Sequence, residues 1–108
     1  MKNVPLKLRI SDKAEQDLEA RIEYLQNEGS SSAAGHFLEA VARSMESLRV
    51  TPGIGKAMRL RSRPPLEFRW ISVARPFHRW LLVSTVSGTG VRIERITHTA
   101  QDIRRFVP

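Results

Sequence analysis

From residue 6 the chain alternates apolar and basic positions, Leu6-Lys7-Leu8-Arg9-Ile10, which is the period of a strand with one buried face. Ser11 and Asp12 follow as candidate helix N-caps, and Asp12 has Glu15 three residues on, the spacing of a capping box. Ala14, Leu18, Ile22 and Leu25 then recur at helical spacing, with Glu15, Glu19 and Glu23 off that stripe. Gly29 suits the position just past a helix end, and Ser30-Ser31-Ser32 supplies a turn. A second stripe of Ala34, Phe37, Leu38, Val41, Met45 and Leu48 predicts another helix. It should stop near Thr51-Pro52, because proline disfavours helix in the residue before it. Two amphipathic helices joined by so short a loop form an antiparallel hairpin.

Beyond Pro52 the period changes from helix to strand. Gly53-Ile54-Gly55 reads as a turn, and without a third glycine it is a poor phosphate loop. Met58 to Arg61 and Phe68 to Val73 read as strands separated by Pro64-Pro65, with Arg75-Pro76 marking the next turn. Arg79 to Val86 holds the most apolar run, Trp80-Leu81-Leu82-Val83, and is expected to be the central strand. Ser87-Gly88-Thr89-Gly90 is a hairpin turn leading to a returning strand, Val91 to Thr97, and the tail Ala100 to Pro108 adds a turn of helix. The order predicts an α+β fold in one domain, residues 1–108. It has an N-terminal strand, an antiparallel two-helix hairpin, and a three- to four-stranded antiparallel sheet packed against the helices.

Composition narrows the function classes. Hydrophobic residues at 41% and charged residues at 27% describe a chain that folds. The absence of cysteine excludes disulfides and thiolate zinc sites, and it suits a reducing compartment. No apolar run is long enough to cross a membrane and no cleavable leader is visible, so a cytoplasmic location is expected. The formal charge of +7 is unevenly placed: residues 1–50 carry −1 and residues 51–108 carry +8. Of the later half's eleven cations, ten are arginine, whose planar fork of donors fits carboxylates and phosphates bidentately. The surplus points to a large anionic partner.

Three stretches resemble the ParE/RelE superfamily of toxins from type II toxin–antitoxin modules, and the ParE branch more closely. Ala14-Glu15-Gln16-Asp17-Leu18 with Ile22-Glu23-Tyr24-Leu25 is similar to the family's first helix, A-x-x-D-L and I-x-x-Y-hydrophobic. Leu48 to Lys56 resembles the L-x-x-x-P-x-x-G-[RK] corner after the second helix. Ile93 to Ile103 is similar to the closing strand and the H-G-x-R-D signature, with Thr99 in place of Gly and Gln101 in place of Arg. The resemblance implies a cognate acidic antitoxin as partner, and DNA gyrase as target in the ParE branch or ribosome-bound mRNA in the RelE branch. It implies antitoxin contacts at Leu18, Ile22, Leu25, Phe37, Val41, Arg69 and Arg79, and target contacts at Arg95, His98, Asp102, Arg104, Arg105 and Phe106.

A metal-independent RNA cleavage needs a proton acceptor at the 2′-hydroxyl, a proton donor at the leaving oxygen and cations at the phosphate. Cations abound, but proton carriers are few. Tyr24, the one tyrosine, is expected to be a core residue with a polar tip. His98 is the best candidate, beside Arg95 and Asp102, and a nuclease would use His98, Arg61 and Arg79. A structural role for His98 holding the tail is favoured, since one histidine without a paired carrier is an incomplete site. His36 and His78 are expected at the surface, and no histidine pair has metal-ligand spacing, so neither metal nor cofactor is expected. The leading reading is therefore a binding poison of gyrase, and the alternative is a ribosome-dependent ribonuclease. A third reading is a plain nucleic-acid-binding module that stacks bases on Trp70, Phe77 and Trp80.

Overall fold

The computed structural model describes residues 7–60, 66–87 and 90–99. The elements run β1 (Lys7–Ile10), α1 (Asp12–Glu28), α2 (Ser31–Val50), β2 (Lys56–Leu60), β3 (Leu66–Ser72), β4 (Trp80–Ser87) and β5 (Gly90–His98). The strands form one five-stranded sheet in the order β1-β5-β4-β3-β2, with the expected central strand β4 in its middle. The sheet is wider than the three or four strands expected after the helices, because β1 joins it. β1 lies parallel to β5, with Arg9 opposite Arg92 and Ile10 opposite Ile93. The other neighbouring strands pair antiparallel.

Each helix starts on a serine. The Ser11 hydroxyl accepts the Ala14 N–H at 3.0 Å, and Ser30 accepts the Ala33 N–H at 3.0 Å. The expected Asp12–Glu15 box is thus displaced by one residue: Ser11 is the cap and Asp12 is the first helical residue. An anion there still faces the positive end of the helix. Gly29 closes α1 with its N–H donated to Leu25 O.

The core lies between the helices and one face of the sheet. Phe37, Val41, Leu48, Leu82, Ile93 and Ile96 are at most 2% exposed. Each such side chain contributes about 1.5–3 kcal/mol by leaving water. The buried stripe of α2 is Ala34, Phe37, Ala40, Val41, Ser44 and Leu48, and Leu38, expected on it, is exposed. The stripe is turned towards its small residues, whose size lets α2 approach the β3–β4 connection. There the Ser44 hydroxyl donates to Ala40 O and accepts Ala74 N–H at 2.9 Å. Phe68, Leu81, Val83 and Thr97 are also buried but stand outside the helix-facing cluster.

A bulge in β5 shapes the end of the sheet. Val83 pairs with Arg95 and Ser84 with Ile93, so Glu94 is the extra residue. The parity shift lets Ile93 and Ile96, three positions apart, both reach the helix-facing core.

Candidate partner-binding site

β1 covers β5 only as far as Ile93, because the chain leaves the sheet at Ser11 to begin α1. Past that point the edge of β5 would present bare peptide groups. Ser11 N–H donates to Ile93 O at 2.9 Å and its hydroxyl to Glu94 O at 2.8 Å. Asp17 completes the cover: its carboxylate accepts Ile96 N–H at 2.9 Å and both Nε and a terminal nitrogen of Arg95 at 2.8 and 2.9 Å. Both side chains of that pair are 17% exposed. Arg95, expected to face the target, is thereby committed to holding α1 on the sheet. Asp17, the aspartate of the A-x-x-D-L stretch, fastens the helix hairpin to the bulge. Its role was not read from the sequence because its partners lie 78 and 79 residues away.

His98, at the end of β5, packs edge-on to Trp80 with ring centroids 5.3 Å apart. Trp80 meets Phe37 at 5.4 Å, and Phe37 meets Phe77 at 5.1 Å. The Arg21 guanidinium lies between the Tyr24 and Trp80 rings, 4.7 and 4.9 Å from their centroids. Its Nε is buried with no hydrogen-bond partner among the described residues, so ring faces take the place of acceptors. Tyr24 is not the core residue expected of it: it is 52% exposed, spread over Arg21 on the outer side of α1. Phe77 and Trp80 are packed against the core and Trp70 lies under Lys56, at 5.6 Å. All three rings are half-buried.

The corner after α2 is held from the sheet. Arg69 of β3 donates to Gly53 O at 3.3 Å and to Gly55 O at 3.5 Å. Gly55 has φ of +99°, and a Cβ there would sit 2.5 Å from Trp70 O. Only glycine meets both demands, which explains the P-x-x-G spacing physically. Pro52, Gly53, Arg69 and Val86 line an open notch of about 320 Å³. Val50 and Val86, at 57% and 44%, are among the most exposed large apolar side chains.

The residues expected to meet an antitoxin therefore separate. Leu18, Ile22 and Leu25 are half-buried along α1, and Arg69 is half-buried at the notch. Arg79 is exposed, standing in the turn before β4 rather than on the strand. Phe37 and Val41 are 0% and 1% exposed inside the chain's own core, where tight packing against the sheet leaves no surface for a partner. Arg61, Asp102, Arg104, Arg105 and Phe106 lie outside the described residues. His36 and His78 are exposed as expected. Among the described residues no group of three or more His, Asp or Glu could hold a metal ion, and no helix is long and apolar enough to cross a membrane. The exposed Glu46 carboxyl on α2 is held below the usual range by its hydrogen bond to Arg49.

No curated protein matches the chain in sequence. Among solved structures, the chain is similar to one from the chromosomal ParDE TA system of P. aeruginosa, with a TM-score of 0.70 and 18% identity over 86% of this chain and 95% of that one. The family model "ParE toxin of type II toxin-antitoxin system, parDE" matches residues 8–103, a span that contains Asp17, the Gly55 corner and the β5 bulge. With the match running from β1 past the end of β5, the chain belongs to the ParE toxin family of type II toxin–antitoxin systems.

Proposed function

We propose that this toxin acts by binding DNA gyrase, not by cleaving RNA, and that a cognate acidic antitoxin silences it. The observation that carries the reading is the placement of His98 and Arg95. The histidine that a nuclease would need as proton carrier is packed edge-on against Trp80. The neighbouring arginine is bonded twice to Asp17. Both groups are engaged in holding the end of β5, which suits a binding surface better than an acid–base pair that must reach a substrate.

The antitoxin reading rests on the notch at the end of α2 and on the half-buried rim of α1. Exposed Val86 beside Arg69 offers apolar contact next to a cation. An acidic segment with apolar side chains fits such a surface, and complementary charge raises the association rate. The test is induced expression of the chain alone in bacteria, with DNA supercoiling and mRNA integrity followed together. Growth arrest with disturbed supercoiling and intact mRNA is expected. Arrest with translation-dependent mRNA cleavage would refute the reading and give Arg61, Arg79 and His98 catalytic roles.

A further inference from the structure

The face of the sheet away from the helices carries a row of cations at its β1–β5 edge. Leu8 and Ile10 pack against the core, and Val91 and Ile93 belong to it. Strand alternation therefore places Lys7, Arg9 and Arg92 on the opposite face, where all three are exposed. Arg9 and Arg92 are direct partners in the parallel register, so their backbones lie about 4.8 Å apart. Lys7 is opposite Gly90, which projects nothing beside it. Like charges directly opposite on neighbouring strands oppose pairing. The relief available is small. Arg92 has Glu94 at 3.6 Å, and that carboxylate also accepts the Thr85 hydroxyl at 2.8 Å. Among the described residues, Lys7 and Arg9 make no ion pair.

We infer that this row, Lys7, Arg9 and Arg92, binds the phosphate backbone of a nucleic acid. Two features favour phosphates over an acidic protein. Among the described residues the strip has no exposed large apolar side chain: Tyr24, Leu38 and Val50 stand on the helices, and Val86 lines the notch. Protein partners need apolar anchors, whereas backbone binding is carried by cations alone. The rest of the molecule also orients the approach. Asp12, Glu15, Glu19, Glu23 and Glu28 are exposed along α1, so repulsion turns the helices away from a polyanion as the strip turns towards it. Binding carried by contacts to phosphates is independent of sequence. The inference does not depend on the gyrase or antitoxin readings.

The test is fluorescence anisotropy of the purified full chain with a labelled duplex DNA of arbitrary sequence, between about 50 and 200 mM salt. Each phosphate contact adds about 0.9 to the slope of log affinity against log salt. The double variant Arg9→Gln, Arg92→Gln should lower that slope by about 1.8. Over the fourfold salt range the wild type should lose about 12-fold more affinity than the variant. A second double variant, Lys13→Gln with Arg75→Gln, removes the same charge from exposed positions elsewhere and should leave the slope near the wild-type value. Circular dichroism checks that both variants fold, and Arg9→Lys with Arg92→Lys, which keeps the charge, should retain the slope. The inference is overturned by no binding at 50 mM salt or by equal loss in the two Gln variants. It is also overturned by an unchanged slope in the first, or by a polyglutamate peptide that outcompetes DNA charge for charge.

Discussion

Replacing Asp17 by alanine takes away three hydrogen bonds at once, two from the Arg95 guanidinium and one from the Ile96 amide. What remains is a guanidinium 17% exposed with its carboxylate gone, and a peptide N–H on a strand edge that β1 does not reach. Breaking a buried ion pair from one side costs about 3–5 kcal/mol, and partial exposure here brings the expectation to about 3 kcal/mol. Asp17→Asn keeps a carbonyl oxygen for the Ile96 N–H and gives up the charge, so it should cost about half as much. Arg95→Met is milder than the alanine change, because Asp17 then keeps its bond to Ile96 and one exposed edge. The assay is urea denaturation of the purified chain, with the Asp17→Ala, Arg95→Met double variant closing the cycle. A coupling of about 1–2 kcal/mol between the two positions is expected. Thermal midpoints should follow, with Asp17→Ala about 10–15 °C below wild type. If Asp17→Ala costs under about 0.5 kcal/mol, or if the two changes are additive, the claim that this pair fastens the hairpin to the sheet is wrong.

Other positions give sharper single outcomes. Gly55→Ala combines a positive φ with a Cβ 2.5 Å from Trp70 O, and should cost about 2 kcal/mol or more in chemical denaturation. Ser11→Ala loses both the cap of α1 and the bond to Glu94 O, and should cost about 1–2 kcal/mol by the same measurement. His98→Ala should lower stability by about 1 kcal/mol through the lost ring contact with Trp80. Under the binding reading neither wild type nor this variant cleaves mRNA; cleavage by wild type that is lost in a variant that still folds would speak for catalysis. The Glu46–Arg49 pair has a pH signature. Because Arg49 lowers the folded carboxyl value, any stabilisation exists above the unfolded value and disappears as pH falls through the folded one. A comparison of wild type with Glu46→Gln at neutral pH and near pH 3 should show their midpoints converging in acid.

The regular elements were legible because each obeys a local period. Leu18, Ile22 and Leu25 mark α1, and Trp80 to Val83 mark the central strand, with turn residues between them. Long-range placement was not legible. Nothing local tells that Lys7 to Ile10 runs parallel to β5, or that Asp17 serves a bulge near the other end of the chain. The errors on single residues have one source, which is reading burial from size. Tyr24 and Leu38 are large and exposed, whereas Ala40 and Ser44 are small and buried where α2 comes close to the β3–β4 connection. For the site, the corner glycine was recognisable by its spacing, but the Arg69 bonds that hold the corner come from a strand 14 and 16 residues away.

The parallel β1–β5 pairing sets a clock on the making of this molecule. Asp17 leaves the ribosome 78 residues ahead of the arginine that locks it. At about 5–20 residues per second, that interval lasts about 4–16 s, during which β1 and Asp17 of α1 do not yet have the whole of β5 to dock on. Loop closure over such a distance is also what slows folding most. A nascent or truncated chain that lacks β5 therefore cannot present the finished sheet. Until β5 is complete, the end of α1 that carries Asp17 keeps its carboxylate open to water.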